Sequence, residues 1–242
     1  MQTASRTLQS ITPTVASKNE FMLSPDEIRA NVESVNARIA TACANSARRR
    51  EDVRLVAVTK TFPAEAIDYG ASAGITDVGE NRVQEARDKQ ALAHGHVRWH
   101  LIGHLQSNKA KDAVRLFDVI QTIDSLDLAE KIARAAEAAG QQQEVLLQIN
   151  IGNEVQKSGV TPPEAESVAK SIRALSALSL RGLMTIPPDD GQPRRWFREM
   201  RIIRDHLGLP ELSMGMSEDY EIAIEEGATI VRVGRAIFGK RG

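Results

Sequence analysis

The 242-residue chain is 42% hydrophobic and 26% charged with a net charge of −1, enough apolar material for one large domain. That balance excludes a surface built for nucleic acid or an acidic membrane, and no basic block is interleaved with aromatics. No apolar run reaches the ~18 residues of a membrane-spanning helix, and the single cysteine, Cys43, has no intrachain partner, as in the reducing cytoplasm.

Residues 1–23 are rich in Ser and Thr, poor in arginine and without an apolar core, so they read as a disordered extension before a domain over 24–242. Ser24-Pro25-Asp26-Glu27 carries a capping box with proline at the first helical position, and Ile28, Val32, Val35, Ile39 and Ala42 give the following helix one apolar face. Leu55, Val56, Ala57 and Val58 then run together without polar alternation, as in a strand buried on both faces, and the segment closes on Lys60.

From there the pattern alternates. Helices are expected over 63–69 (closed by Gly70), 82–92 and 107–116, from Asp124 or Ser125 to Ala139 (stopped by Gly140), after Thr161-Pro162-Pro163-Glu164, and over 196–207 and 217–226. Strands are expected over 75–79, 97–103, Val119–Ile123, 144–150, 180–186, 212–216 and 229–233. Eight short apolar strands separated by helices predict a parallel sheet closed into a single (β/α)₈ TIM-type barrel rather than an open doubly wound sheet. The Ser24 helix is an extra element that stands in for a short eighth helix.

In such a barrel the site lies at the carboxyl ends of the strands. A lysine there either snorkels to solvent or, desolvated, becomes nucleophilic toward a carbonyl. Ser213-Met214-Gly215-Met216-Ser217 ends the seventh strand, with Ser217 as a helix N-cap, and Val231-Arg232-Val233-Gly234-Arg235 ends the eighth. Those two loops commonly hold phosphate on backbone N–H groups, although Ser217 as a plain cap and Gly234 as a plain turn explain the same residues. Glu218 and Asp219 would repel an anion and are expected to point outward. A strand-end lysine with a phosphate cradle suggests pyridoxal 5'-phosphate. Side-chain alternation aims Arg232 into the barrel, toward a pyridine nitrogen or into an internal ion pair with Glu80.

Other groups carry less. His94, His96, His100 and His104 have no carboxylate or cysteine among them, so no metal is expected. The glycine-bounded loop from Gly152 to Gly159, with Lys157, could fold over a ligand but lacks the order of a nucleotide-binding loop and reads rather as a surface turn, and Trp99 and Trp196 read as packing residues.

Longer motifs add a resemblance. Leu55-Val-Ala-Val-Thr-Lys60, Gly79-Glu-Asn-Arg-Val-Gln-Glu85, Trp99-His-Leu-Ile-Gly-His-Leu-Gln-Ser-Asn-Lys109, Lys157-Ser-Gly159, Gly182-Leu-Met-Thr-Ile186, Leu212-Ser-Met-Gly-Met-Ser217 and Val231-Arg-Val-Gly234 resemble the pyridoxal phosphate homeostasis proteins. Those are single-domain relatives of the alanine racemase barrel (pyridoxal-phosphate fold type III), and the resemblance spans about Ile28 to Gly239. It implies a covalent Schiff-base link to Lys60, phosphate held by Ser217, Gly234 and the backbone of Arg235, Arg232 facing the pyridine nitrogen, Asn81 near the phenolic oxygen and Met216 as a further cofactor-binding residue. Thr59 stands where the family often has serine. Arg235 replaces a small hydroxyl residue, which leaves backbone donation intact.

The function expected is a holder that buffers or delivers the cofactor to enzymes lacking it, as a cytoplasmic monomer without robust catalysis. Racemisation needs a second base, supplied in the racemases by a further domain and a partner subunit, and this chain has no residues left to build that domain. The alternative is a racemase or Schiff-base lyase using Tyr69 or Tyr220 as acid or base; an adaptor that binds only proteins would carry no chromophore.

Overall fold

A computed structural model describes residues 22–239. Among them the strands are β1 (Arg54–Val58), β2 (Asp77–Glu80), β3 (Arg98–Leu101), β4 (Val119–Ile123), β5 (Gln143–Gln148), β6 (Leu178–Met184), β7 (Glu211–Ser213) and β8 (Ile230–Val233). The helices are α1 (Pro25–Asn45), α2 (Glu65–Ser72), α3 (Val83–Gln90), α4 (Ala110–Leu116), α5 (Leu126–Ala139), α6 (Ala165–Arg173), α7 (Pro193–His206), α8 (Tyr220–Glu225) and α9 (Arg235–Phe238). The eight strands form a closed barrel in chain order, all neighbours are parallel, and β8 returns to β1 with Val56 opposite Arg232.

Period-two alternation splits the wall into two layers. Inside, Val56, Val119, Leu146, Met184 and Ile230 make a small apolar plug. Outside, Ala57, Val78, Leu101, Ile120, Leu147, Leu183 and Val231 join the larger core beneath the helices. α1 is closed by its capping box, with Ser24 N donating to Glu27 Oε2 at 2.8 Å, and buries Ile28, Val32, Val35, Ile39, Ala42 and Cys43. It packs on α2, α8 and the four-residue α9, so it covers the wall that a full eighth helix would cover. Ser125 caps α5, and Gly140, at φ 67°, ends it.

Several expected boundaries move. Gly70 lies inside α2, buried against Ile75 and Phe238, and Gly74, at φ 91°, makes the turn. β7 stops at Ser213 because Gly215, at φ 89°, turns the chain out of the sheet. Proline and the capping box begin a 3-10 turn over Pro162–Glu164 before α6, and α7 starts at Pro193, three residues before Trp196. The expected extension over 1–23 falls outside the described residues except for Met22 and Leu23, which pack partly buried on the core.

Candidate functional site

A cavity of about 580 Å³ opens at the carboxyl ends of the strands. Lys60, Asn81, Met216, Ser217, Arg232, Gly234 and Arg235, the seven residues expected from the sequence, all line it. Lys60 follows β1 by two residues and is half-buried. Asn81 follows β2, and Gly103 lies so close behind it that a Cβ there would stand 2.3 Å from the Asn81 carbonyl oxygen. Only glycine permits that approach.

The loop after β7 differs from expectation. Helix α8 begins at Tyr220, so Ser217 lies in the preceding turn and is not its N-cap. The cause is Asp219, whose Oδ1 accepts from Met216 N at 2.6 Å and ties the turn before the helix starts. Asp219 therefore lines the cavity instead of pointing outward. Burial pushes its carboxyl above the ordinary range, against the opposing pull of the Met216 N–H and the Arg232 charge. Glu218 is exposed but also stands at the cavity's edge rather than away from it, paired with Arg235 at 2.7 Å.

Arg232 points inward and is 4% exposed. Burial lowers its pKa to about 10, so the guanidinium stays a cation at neutral pH and can only donate. It donates to Ser213 Oγ at 2.6 Å and to the Thr185 carbonyl at 2.8 Å. The expected alternative, an ion pair with Glu80, does not form: Glu80 lies behind the wall with Lys89 and Thr59. A chain of hydrogen bonds continues from Arg232 through the barrel. Ser213 Oγ donates to Gln121 Oε1 at 2.7 Å, which leaves Gln121 Nε2 to donate to His100 Nδ1 at 2.9 Å. His100 Nε2 then carries the proton toward Asp77 Oδ1 at 2.8 Å. Burial pushes the Asp77 carboxyl up, but the hydrogen bonds from His100 and Thr76 outweigh it and hold it below the ordinary range.

The other histidines do not converge. His104 stands beside Asp124 at 3.1 Å and Ser158 at 3.3 Å, and among the described residues no three His, Cys, Asp or Glu side chains gather as metal ligands. Tyr69 and Tyr220, the acid or base of the alternative reading, are not among the cavity's lining residues. Tyr220 is fully buried under α1, with the Arg38 guanidinium 5.0 Å from its ring centre. Trp99 is buried in the core, and Trp196 on α7 packs partly buried against that core beneath Arg195, so both pack as expected.

Sequence reasoning missed Lys157. Its loop brings Lys157 to the cavity instead of forming a plain surface turn, because Asn150, just past β5, holds it at two points: Nδ2 donates to the Glu154 carbonyl at 2.8 Å and to the Lys157 carbonyl at 3.2 Å, and Oδ1 accepts from Glu154 N at 3.0 Å. Lys157 lines the cavity, donates to the Pro187 carbonyl at 2.9 Å and pairs with Glu154. The polar residue closing the fifth strand, ahead of a glycine-bounded loop, was the available signal.

The family model described as alanine racemase, N-terminal domain, matches residues 24–242. A protein of Pseudomonas aeruginosa named pyridoxal phosphate homeostasis protein is 41% identical over 220 residues, 88% of this chain and 96% of that one. Its namesake in Escherichia coli K12 is 40% identical over 228 residues, 89% and 97% of the two chains. The structure of PipY from Synechococcus elongatus PCC7942, solved with PLP bound, superposes with a TM-score of 0.76 at 36% identity over 88% of this chain and 100% of PipY. An alanine racemase of Clostridium difficile 630 shares the fold, with a TM-score of 0.70 at 16% identity over 57% of its length. Among the described residues no helix is long and apolar enough to cross a membrane.

Proposed function

Because this chain belongs to the pyridoxal phosphate homeostasis protein family, we propose that it binds pyridoxal 5'-phosphate covalently through Lys60 Nζ and buffers or delivers it in the cytoplasm. One observation carries the reading: an amine, a buried cationic donor and the two loops after β7 and β8 meet in one cavity of about 580 Å³. The donor set fits the cofactor. Ser217, Gly234 and Arg235 would offer backbone N–H groups to its phosphate with Met216 alongside, Arg232 would donate to its pyridine nitrogen, and Asn81 would hold its phenolic oxygen. The bound cofactor supplies an aldehyde for the lysine and a conjugated ring that absorbs visible light.

The protein's own residues favour holding over turnover. Arg232 can only donate, so against a pyridine nitrogen it would keep that nitrogen unprotonated and weaken the ring as an electron sink. Tyr69 and Tyr220 lie off the cavity, which removes the two bases that the racemase or lyase reading named. Mixing the purified protein with pyridoxal phosphate is expected to generate a visible absorbance band that Lys60→Ala abolishes. A band that survives in the variant, or its absence in the wild type, overturns the covalent assignment. Interconversion of amino-acid enantiomers at enzyme-like rates overturns the holder reading.

A further inference from the structure

We infer that Lys89, buried behind the barrel wall, is a positioning residue that fixes the main chain on both sides of Lys60 and so presents its amine to the cavity. The inference rests on the covalent role of Lys60 given above. Lys89 lies on α3 and is 6% exposed. Its ammonium uses three donors, to the Thr59 carbonyl, Glu80 Oε1 and Glu85 Oε1, each at 2.7 Å. Both carboxylates reach the same peptide segment. Glu80, with no exposure, accepts from Thr59 Oγ1 at 2.6 Å, and Glu85 accepts from Thr61 N at 2.5 Å. Thr59 is thus held at its carbonyl and hydroxyl and Thr61 at its amide, with Lys60 between them.

The backbone needs such a hold. Thr61 has φ 70°, in the left-handed region that a β-branched residue rarely adopts. A residue there persists when its surroundings over-determine it, and the bond from Thr61 N to Glu85 supplies that constraint. Strand alternation sets the division of labour. Val58 and Lys60 face the cavity, whereas Thr59 turns to the helix side, and none of Lys89, Glu80 and Glu85 lines the cavity. The cluster acts through Lys60 and touches no ligand. An anchor between α3 and the sheet needs only an apolar side chain, and an ammonium with two carboxylates is a costly way to make one. Bonds to Thr59 and Thr61 give the cluster a purpose that an anchor lacks.

Capture joins Lys60 Nζ to the aldehyde carbon and releases the aldehyde oxygen as water, so its rate depends on where the amine is held. The test compares wild type, Lys89→Met, Glu85→Ala and Glu85→Gln as cofactor-free proteins. Three quantities are read: growth of the visible band after mixing with pyridoxal phosphate, hydrogen exchange at the Thr61 amide, and the thermal midpoint. Glu85→Ala and Lys89→Met are expected to slow band growth by about tenfold or more and to speed Thr61 exchange, whereas Glu85→Gln, whose Oε1 still accepts from Thr61 N, restores both. Wild-type rates in Glu85→Ala and Lys89→Met, even with a lowered thermal midpoint, overturn the inference and leave the cluster a structural anchor. Should Lys89→Met fail to fold, the Glu85 pair decides. If the wild type itself yields no band, the cofactor reading fails, and Thr61 exchange alone decides: unchanged exchange in Glu85→Ala overturns the positioning role and faster exchange supports it.

Discussion

Replacing Arg232 with methionine separates stability from cofactor affinity. Burial lowers the Arg232 pKa from the ordinary arginine range to about 10, which at ~1.4 kcal/mol per pH unit corresponds to roughly 3 kcal/mol against burying the charge. Methionine removes that cost but leaves the Thr185 carbonyl without the guanidinium it now accepts from at 2.8 Å, a loss of about 1–3 kcal/mol. Ser213 keeps its bond to Gln121. The two effects nearly cancel, so the cofactor-free variant is expected to melt within about 8 °C of the wild type. Affinity behaves differently, because the cofactor loses a hydrogen bond from a charged donor, worth about 1.5–3 kcal/mol, or about 10- to 150-fold in Kd. Titration of the cofactor-free protein with pyridoxal phosphate, followed by absorbance, measures the second quantity, and thermal melting measures the first. Unchanged affinity, or a midpoint lowered by more than about 10 °C, would refute the reasoning.

Two further outcomes follow from local geometry. Gly215→Ala places a Cβ 2.6 Å from Ala223 Cβ and 2.9 Å from Tyr220 Cα at φ 89°; a stability loss above about 2 kcal/mol in urea unfolding is expected, together with weaker inorganic phosphate binding as the Met216–Ser217 turn moves. Glu226, 4% exposed, meets Arg194, Arg198 and Arg201. Burial pushes its carboxyl up, but the hydrogen bonds from Arg198 and Arg194 outweigh it and hold the pKa below the ordinary 4.5. A carboxylate with a lowered folded pKa stabilises fully above its unfolded value and loses that contribution as pH falls through the folded one. Glu226→Gln should therefore lower stability at pH 7 and flatten the acid limb of stability below about pH 4.5; urea midpoints across that range check it, and an unchanged limb assigns the acid sensitivity to other groups.

The sequence by itself determined the elements that follow from local patterning. Four apolar residues in a row marked β1, the Ser24 capping box set the start of α1, Gly140 ended α5, and β4 matched its expected bounds from Val119 to Ile123. Each depends on residues within a few positions of one another, where periodicity and capping act. The order of strands then put Lys60 and the loops after β7 and β8 at one end of the barrel, because parallel strands carry all their carboxyl ends to the same face. Only the tertiary structure decided the partners of the buried polar groups. Arg232 meets Ser213 and the Thr185 carbonyl instead of Glu80, and Ser213 reaches Gln121 across 92 positions of sequence. Lys89 on α3 reaches back 30 positions to Thr59, and Asn150 holds the loop that brings Lys157 to the cavity. A buried donor or acceptor must be satisfied by whatever group the closed barrel places within about 3 Å of it. Closure sets that neighbour, so no local pattern records it.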